Sequence, residues 1–141
     1  MSEQDTVRLV QRFYEHVSRR DLPSALTLMA PDVEWSMPQI DGVPFSGSWH
    51  GRDGVEAFFR KVAETQEQVE FHVDEFIAQR DKVVVVGRFV MLVRATGRTS
   101  ASRWAHLWTV RNGEIVQMRE FVDTAVVGAA HRAGRGPLLS P

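Results

Sequence analysis

Residues 103–122, RWAHLWTVRNGEIVQMREFV, decide the fold of this chain, because two apolar, β-prone runs flank the dipeptide Asn112-Gly113. An Asn-Gly pair between alternating hydrophobic residues is a strong short-range signal for a β-hairpin. We therefore predict two antiparallel strands, over residues 99–110 and 115–122. The length of the loop between them then decides which side chains share a face of the sheet.

Two loop geometries compete at this turn. A two-residue loop would pair Arg111 with Glu114 and place His106 opposite Arg119. Because side chains alternate along a strand, Glu120 would then lie on the other side of the sheet from His106.

A three-residue loop, with Gly113 in a left-handed bulge, would instead pair Val110 with Glu114. We favour this geometry because it gathers an apolar wall that contains only two ionisable groups. The wall would consist of Trp104, His106, Trp108, Val116, Met118 and Glu120.

Glu120 and His106 are the candidate catalytic residues. A carboxylate in an apolar wall loses hydration, which makes Glu120 a stronger proton acceptor and a candidate general base. A neutral His106 can donate a hydrogen bond to a substrate oxygen or take part in a proton relay. The alternatives are that His106 is a hydrogen-bonded packing residue and that Glu120 is an exposed strand residue paired with Arg103 or Arg119.

Three helices are predicted before the long strands. Apolar residues at helical spacing predict an amphipathic first helix over residues 7–17, whose first turn Ser2 and Asp5 can cap. A second helix is predicted between Asp21 as its cap and Pro31 as its end, with Met29 on its apolar stripe. Asp53 and Glu56 fit a capping box that begins a third helix, which ends near Glu67.

The strand pattern that surrounds and follows these helices predicts the fold class. Residues 33–37 alternate as a short strand, residues 38–51 form an irregular loop, and long β segments follow over residues 69–78, 83–95, 99–110 and 115–122. We predict an α+β fold, a cone-shaped barrel of strongly curved, mostly antiparallel sheet, with three N-terminal helices that enclose a pocket. One domain spans residues 1–130, where Asp123 caps a short last helix, and residues 131–141 form a flexible tail.

Composition excludes several classes of function. The net charge is −1 and the basic residues are scattered, which argues against nucleic acid as a partner. There is no cysteine, and the histidines lack the spacing of metal ligands, so we expect neither a metal nor another cofactor. No apolar run approaches the roughly 20 residues of a membrane helix, and the polar N-terminus lacks signal-peptide features. We therefore expect a cytoplasmic protein that has no membrane partner.

The chain resembles the SnoaL-like and ketosteroid-isomerase-like members of the nuclear-transport-factor-like superfamily over residues 7–130. Four motifs carry the resemblance: QRFY at residues 11–14, APDVEW at 30–35, GRDGV at 51–55 and HLWTVRNGEIV at 106–116. It implies a conical pocket between helices and sheet, often in a homodimer. In SnoaL-like polyketide cyclases it implies a histidine and an acidic base at the positions of His106 and Glu120, although the base there is usually aspartate.

Six residues are predicted to line the pocket and bind a hydrophobic small molecule: Tyr14, Trp35, Phe58, Trp104, Trp108 and Met118. The predicted function is a cofactor-independent acid/base enzyme, polyketide-cyclase-like or isomerase-like, that acts on a small hydrophobic carbonyl compound. One alternative is a non-catalytic module that binds small molecules. The other is an epoxide hydrolase or cyclase with rearranged acids. Limonene-epoxide-hydrolase-like relatives carry an Arg-x-Asp pair on this strand, whereas this chain has Arg88-Phe89-Val90 and lacks the aspartate.

Overall fold

Helices and strands follow one another in the order that the sequence predicts, with one additional strand. The computed structural model describes residues 1–132. The helices are α1 (Glu3–Ser18), α2 (Leu22–Leu26), α3 (Gly51–Thr65) and α4 (Thr124–Arg132). The strands are β1 (Met29–Met37), β2 (Gly47–His50), β3 (Gln66–Gln79), β4 (Lys82–Val93), β5 (Thr99–Arg111) and β6 (Glu114–Val122).

The six strands form one curved sheet in the order β2-β1-β6-β5-β4-β3. Neighbouring strands are antiparallel except for β1 and β6, which run parallel. Because β2 and β3 remain as free edges, the cone is an open sheet and the predicted closed barrel is not formed. The α+β class, the mostly antiparallel pairing and the three N-terminal helices are confirmed.

The largest departures from the predicted elements lie between residues 26 and 53. Helix α2 ends at Leu26, and Met29, which was predicted to lie on its apolar stripe, begins β1. Pro31 lies within β1 where the register against β6 shifts, between Met29 and Glu34, so its missing N–H interrupts no regular ladder. Residues 47–50 of the predicted loop form β2, which pairs with the end of β1.

The predicted capping box of α3 is wrong, whereas the other predicted caps are present. Helix α3 begins at Gly51, directly after β2, and its N-cap His50 makes no side-chain capping bond. Ser2 caps α1 and Asp21 caps α2 through their side chains. Asp123 accepts a hydrogen bond from the backbone N–H of Val126 at 3.2 Å, as predicted for the cap of the last helix.

Helix α4 continues through His131 and Arg132, two residues that were predicted to belong to the tail. The rest of the predicted tail, residues 133–141, lies outside the described residues, and the division into one domain and a tail stays a prediction. Within residues 1–132, no helix is long and apolar enough to cross a membrane.

Helices α1 and α3 lie against the inner face of the sheet, and aromatic rings fill the space between them. Phe13 of α1 contacts Trp35 of β1 and Trp108 of β5, with ring centroids 5.8 and 4.8 Å apart. Trp104 lies on the same face, across from Gly87 of β4. Because Gly87 has no side chain, the indole of Trp104 can rest directly on the backbone of β4.

This close approach predicts that Gly87→Ala destabilises the fold. A Cβ at residue 87 would collide with the backbone oxygen of His72 and with the indole ring of Trp104. We expect the free energy of unfolding to fall by about 1–3 kcal/mol or more, as for other overpacked cores, in urea denaturation. Gly54→Ala in α3 is the control, since its Cβ would meet nothing closer than 3.4 Å and should leave stability unchanged or raised. Equal stability of the two variants would contradict this account of Gly87.

Candidate active site

The β5–β6 hairpin contains both a tight turn and a bulge. Asn112 and Gly113 have φ angles of 52° and 76°, so they form a two-residue loop that pairs Arg111 with Glu114. The register then shifts by one residue, because Thr109 pairs with Gln117 and Val116 is left as the extra residue. The predicted three-residue loop at Gly113 is therefore wrong: the bulge lies inside β6.

The bulge brings His106 and Glu120 to the same face of the sheet, as the predicted loop would have done. His106 pairs directly with Glu120, and Trp108 with Met118, so their side chains share the inner face. Ile115, and not Val116, completes the apolar wall near the turn, since Ile115 is fully buried opposite Val110. An Asn-Gly loop fits the strand twist with both residues at positive φ, which explains why the extra residue is accommodated in the strand instead.

A chain of polar contacts links helix α1 to both strands of the hairpin. The indole Nε1–H of Trp108 donates to the hydroxyl oxygen of Tyr14 at 3.1 Å. The same hydroxyl lies 2.6 Å from Nδ1 of His106. On the other side of the imidazole ring, Nε2 of His106 lies 3.3 Å from Oε2 of Glu120. The four side chains thus form one continuous group, which we call the Tyr14–His106–Glu120 chain, with Trp108 at its end.

Trp104 covers one face of the His106 ring, and Tyr14 lies at the edge of that ring. Trp104 stacks on the imidazole at 4.1 Å with 21° between the planes, and Tyr14 lies parallel to it at 5.9 Å and 4°. Phe71 stacks in turn on Trp104 at 5.0 Å. The side chains of His106 and Glu120 are only 10% and 16% exposed, so the pair is largely shielded from solvent.

Burial keeps Tyr14 protonated. It raises the pKa of the Tyr14 hydroxyl far above its usual value, and the nearby carboxylate of Glu120 raises it further. The hydrogen bond from Trp108 acts in the opposite direction but is the smaller effect. Tyr14 is therefore a neutral O–H group at physiological pH.

The other predicted substrate-binding residues lie deeper in the interior. Trp35 is 3%, Phe58 5%, Trp108 0% and Met118 1% exposed, so these side chains pack against the core. Their role in binding a substrate stays a prediction. The indole N–H groups of Trp35 and Trp104 are buried and have no hydrogen-bond partner within residues 1–132.

The arginines of the hairpin lie on the opposite, outer face. Arg103 pairs across the strands with Arg88, which contacts Asp74 at 3.6 Å, and Arg119 lies over the ring of Phe121. A groove of about 520 Å³ lies on this outer face, away from the side chains of His106 and Glu120. The predicted alternative, in which Glu120 pairs with an arginine, is therefore not observed.

The outer position of Arg88 also bears on the epoxide-hydrolase alternative. An Arg-x-Asp arrangement on β4 would have to face the acid on β6, but the exposed Arg88 side chain lies on the other side of the sheet. Within residues 1–132, no group of three or more His, Asp and Glu side chains is arranged to hold a metal ion.

Comparison with known proteins identifies the family of the chain. The family model of the SnoaL-like domain matches residues 10–118 of the chain. The chain belongs to the SnoaL-like domain family. The matched range includes α1 with Tyr14 and β5 with His106, and it ends two residues before Glu120. A search of curated proteins found no match.

Solved structures show the same fold. An NTF2-like protein from Burkholderia xenovorans LB400 is 32% identical, with 94% of this chain and 99% of that chain covered and a TM-score of 0.85. TerC, co-crystallized with polyporic acid, is 27% identical, with 92% and 99% covered and a TM-score of 0.80. A protein from Mesorhizobium loti named as a SnoaL-like polyketide cyclase is 20% identical, with 81% and 96% covered and a TM-score of 0.68, and shares the fold.

The bond from Tyr14 to His106 is the feature of this SnoaL-like site that the sequence did not reveal. Tyr14 was predicted to bind substrate, whereas its hydroxyl is engaged with His106, 92 residues further along the chain. No periodicity or spacing connects residues so far apart. The only available signal was that Tyr14 is the single tyrosine of the chain and lies beside Phe13 on an amphipathic helix.

Because Tyr14 is the only tyrosine, its ionisation can be followed directly by the ultraviolet absorbance of tyrosinate. Since its pKa is raised in the folded state, we expect no tyrosinate in the folded protein at pH values near 10, where tyrosine in an unfolded chain ionises. The stability that Tyr14 contributes is fully present below about pH 10 and is lost as the pH rises above it. The same titration in concentrated urea is the control. A folded protein that titrates like the unfolded one would contradict the buried environment of Tyr14.

Proposed function

We propose that this SnoaL-like protein is a cofactor-independent acid/base enzyme that enolises a small hydrophobic carbonyl compound, with Glu120 as the general base. The observation that carries the proposal is the position of Glu120. Its carboxylate is 16% exposed, 3.3 Å from Nε2 of His106, and lies at the edge of an aromatic interior.

A proton acceptor must reach both the substrate and a stabilising partner. Oε2 of Glu120 faces His106, which leaves Oε1 for a substrate. An aromatic wall around a carboxylate excludes competing water, and a donor beside the carboxylate keeps it oriented. Glu120 combines both conditions, and no other carboxylate of residues 1–132 lies against this aromatic wall within ion-pair distance of His106.

The proposed reaction begins when Glu120 takes a proton from the carbon next to a carbonyl group. The electron pair of the broken C–H bond forms the C=C bond of an enolate, and the π pair of the carbonyl group moves to its oxygen. The protonated Glu120 then returns its proton. In an unsaturated ketone the intermediate is a dienolate, and return of the proton to its far carbon shifts the double bond and gives an isomer. In a compound with two carbonyl groups, attack of the enolate carbon on the second carbonyl closes a ring and the proton goes to the new alkoxide.

We assign the indole N–H of Trp104 to the enolate oxygen. Trp104 stacks on His106 at 4.1 Å, and its N–H has no hydrogen-bond partner within residues 1–132. A buried donor without a partner costs free energy, which an acceptor oxygen on a bound ligand would recover. A donor directed at developing negative charge also stabilises the transition state.

The relatives support a hydrophobic carbonyl compound as the substrate class. TerC was co-crystallized with polyporic acid, and a further structural neighbour is named as a polyketide cyclase. Polyporic acid is therefore a suitable first ligand for binding measurements, which the fluorescence of the four tryptophans would report.

Hydrogen–deuterium exchange tests the proposed base without knowledge of the natural substrate. We would incubate the protein with a panel of hydrophobic cyclic ketones and 1,3-diketones in D2O, and follow the loss of α-protons by NMR. We expect the wild-type protein to accelerate exchange for at least one member of the panel. Glu120→Gln should then lower the rate by about 10²–10⁴-fold, because the proton acceptor is lost.

Two further variants make the exchange experiment specific. Glu56→Gln removes an exposed carboxylate of α3 and should leave the rate unchanged. Trp104→Phe removes the proposed donor and should slow exchange by about 10²–10³-fold if it meets the enolate oxygen. Full activity of Glu120→Gln would disprove the assignment. Ligand binding without any exchange would instead favour the alternative of a non-catalytic binding module.

We also propose that the protein forms a homodimer through the outer face of the sheet. Phe121 and Ile77 expose 44% and 51% of their surface, a high fraction for large apolar side chains. The same sheet carries carboxylates on β3, Glu70 and Glu75, and arginines on β5 and β6. A two-fold axis that lies in the plane of the contact and runs along the strands would bring the acidic strand of one copy onto the basic strands of the other.

Light scattering after size-exclusion chromatography tests the dimer. We expect the wild-type protein to elute at twice the chain mass of 16.0 kDa. Phe121→Asp should shift it to a monomer, since it buries a charge in the proposed contact. Val126→Asp on α4, another exposed apolar position at 36%, should remain a dimer. A monomeric wild-type protein, or a dimeric Phe121→Asp, would overturn this proposal.

A further inference from the structure

We propose that Tyr14 is a positioning residue that holds His106 in a single neutral tautomer, with the proton on Nε2, so that Glu120 alone meets the substrate. The structural part of the inference rests on the hydrogen bonds of residues 1–132. Its catalytic consequence rests on the proposed function.

The direction of the hydrogen bonds follows from the donor at one end of the chain, the indole N–H of Trp108. The indole nitrogen of Trp108 can only donate, so the oxygen of Tyr14 accepts one hydrogen bond at 3.1 Å. The proton of the Tyr14 hydroxyl then needs an acceptor. Nδ1 of His106, at 2.6 Å, is the one acceptor found for it within residues 1–132.

The opposite direction leaves groups unsatisfied. If Nδ1 of His106 carried the proton and donated it to Tyr14, the hydroxyl proton of Tyr14 would have no acceptor in this buried position. The unprotonated Nε2 would also direct its lone pair at Oε2 of Glu120, 3.3 Å away, which is repulsive when Glu120 is ionised. The Nε2–H tautomer removes both conflicts.

Two alternative states of the pair are unfavourable as well. Burial raises the pKa of the Tyr14 hydroxyl, so Tyr14 does not give its proton up to the imidazole. A flipped imidazole would place ring carbons where the two nitrogens now meet Tyr14 and Glu120, and both contacts would be lost. The ring is thus held by Trp104 on one face and by a polar partner at each nitrogen.

Both nitrogens of His106 are therefore engaged, and neither is free to bind a substrate oxygen. Oε1 of Glu120 is left as the acid/base atom of the chain that can reach a ligand. In this arrangement one carboxyl group removes the proton and returns it. Tyr14 orients His106, and His106 in turn orients Glu120. This gives His106 an orienting role in place of the two roles expected from the sequence, direct donation to a substrate and a proton relay.

The tautomer is measurable by NMR in the ligand-free protein. Two-bond correlations between ring protons and ¹⁵N distinguish a protonated from an unprotonated ring nitrogen, and loss of one signal set in His106→Gln assigns His106 among the five histidines. We expect His106 to show one species, protonated at Nε2. Tyr14→Phe should produce a mixture that includes the Nδ1–H form. A protonated Nδ1 in the wild-type protein, or an unchanged tautomer in Tyr14→Phe, would overturn the inference.

Two controls separate the hydrogen bond from packing. Phe76→Leu disturbs a ring that lies edge-on to Tyr14 at 6.0 Å but removes no hydrogen bond, so the tautomer should stay unchanged. Trp108→Phe keeps the bond from Tyr14 to His106 and should also leave Nε2 protonated. If either control changes the tautomer as much as Tyr14→Phe does, the bond from Tyr14 is not what selects it.

The exchange assay then tests the catalytic consequence separately. Tyr14→Phe should lower kcat by about 10–100-fold, the range for loss of a partner that orients a functional group, and should leave KM nearly unchanged. A change in KM alone would mean that Tyr14 contacts the substrate directly. The role of Glu120 as base and the tautomer of His106 are tested independently. Full activity of Glu120→Gln would reject Glu120 as the base whatever the tautomer of His106.

Discussion

The bulge at Val116 determines the face on which every later side chain of β6 lies. Without it, the tight loop at Asn112-Gly113 would continue its register along the hairpin, and His106 would meet Arg119. With it, His106 meets Glu120 on the inner face, while Arg119 moves to the outer face over Phe121. One extra residue thus decides whether a carboxylate or a guanidinium enters the aromatic interior. Bulges near functional sites commonly redirect a side chain in this way.

Placing a carboxylate inside the sheet is unfavourable unless the protein replaces the water it loses. Here the replacement is a series of donors that begins with the indole of Trp108 and runs through Tyr14 and His106. Each member needs the next, because a buried polar group without its partner costs about 1–3 kcal/mol. The site is therefore also part of the core: α1, β5 and β6 are joined by the same contacts that orient Glu120. A variant that removes one member is expected to affect stability and chemistry together, which is why a readout of the imidazole tautomer is more informative than activity alone.

The sequence predicted the parts of the structure that local signals specify. Helix α1 with its Ser2 cap, the Asp21 cap, and the Asn112-Gly113 hairpin all follow from neighbouring residues. Strand β2 and the early start of β1 were missed. Strand β1 pairs in parallel with β6, about 85 residues away in sequence. Only this distant pairing makes a strand of a segment that contains Pro31. The shared face of His106 and Glu120 was predicted from the pattern of apolar residues, but the position of the bulge was not. The predicted three-residue loop and the observed bulge inside β6 each add one residue and bring the same side chains to the inner face, so the apolar pattern could not distinguish them.

The two faces of β4, β5 and β6 separate two kinds of chemistry. Inward residues are mostly apolar, aliphatic as well as aromatic, with one carboxylate and one imidazole among them, whereas outward residues combine arginines with exposed apolar side chains. Gly87 is in contact with both sides of the sheet. On the inner side, the absence of a side chain lets Trp104 rest on the backbone of β4, and on the outer side the groove borders the same residue. Trp104 in turn stacks on His106, so a contact on the outer face lies only one aromatic ring away from the imidazole. If a second copy covers the outer face, it supports the backbone of β4 behind Trp104, and assembly and the geometry of the acid/base chain depend on the same strands.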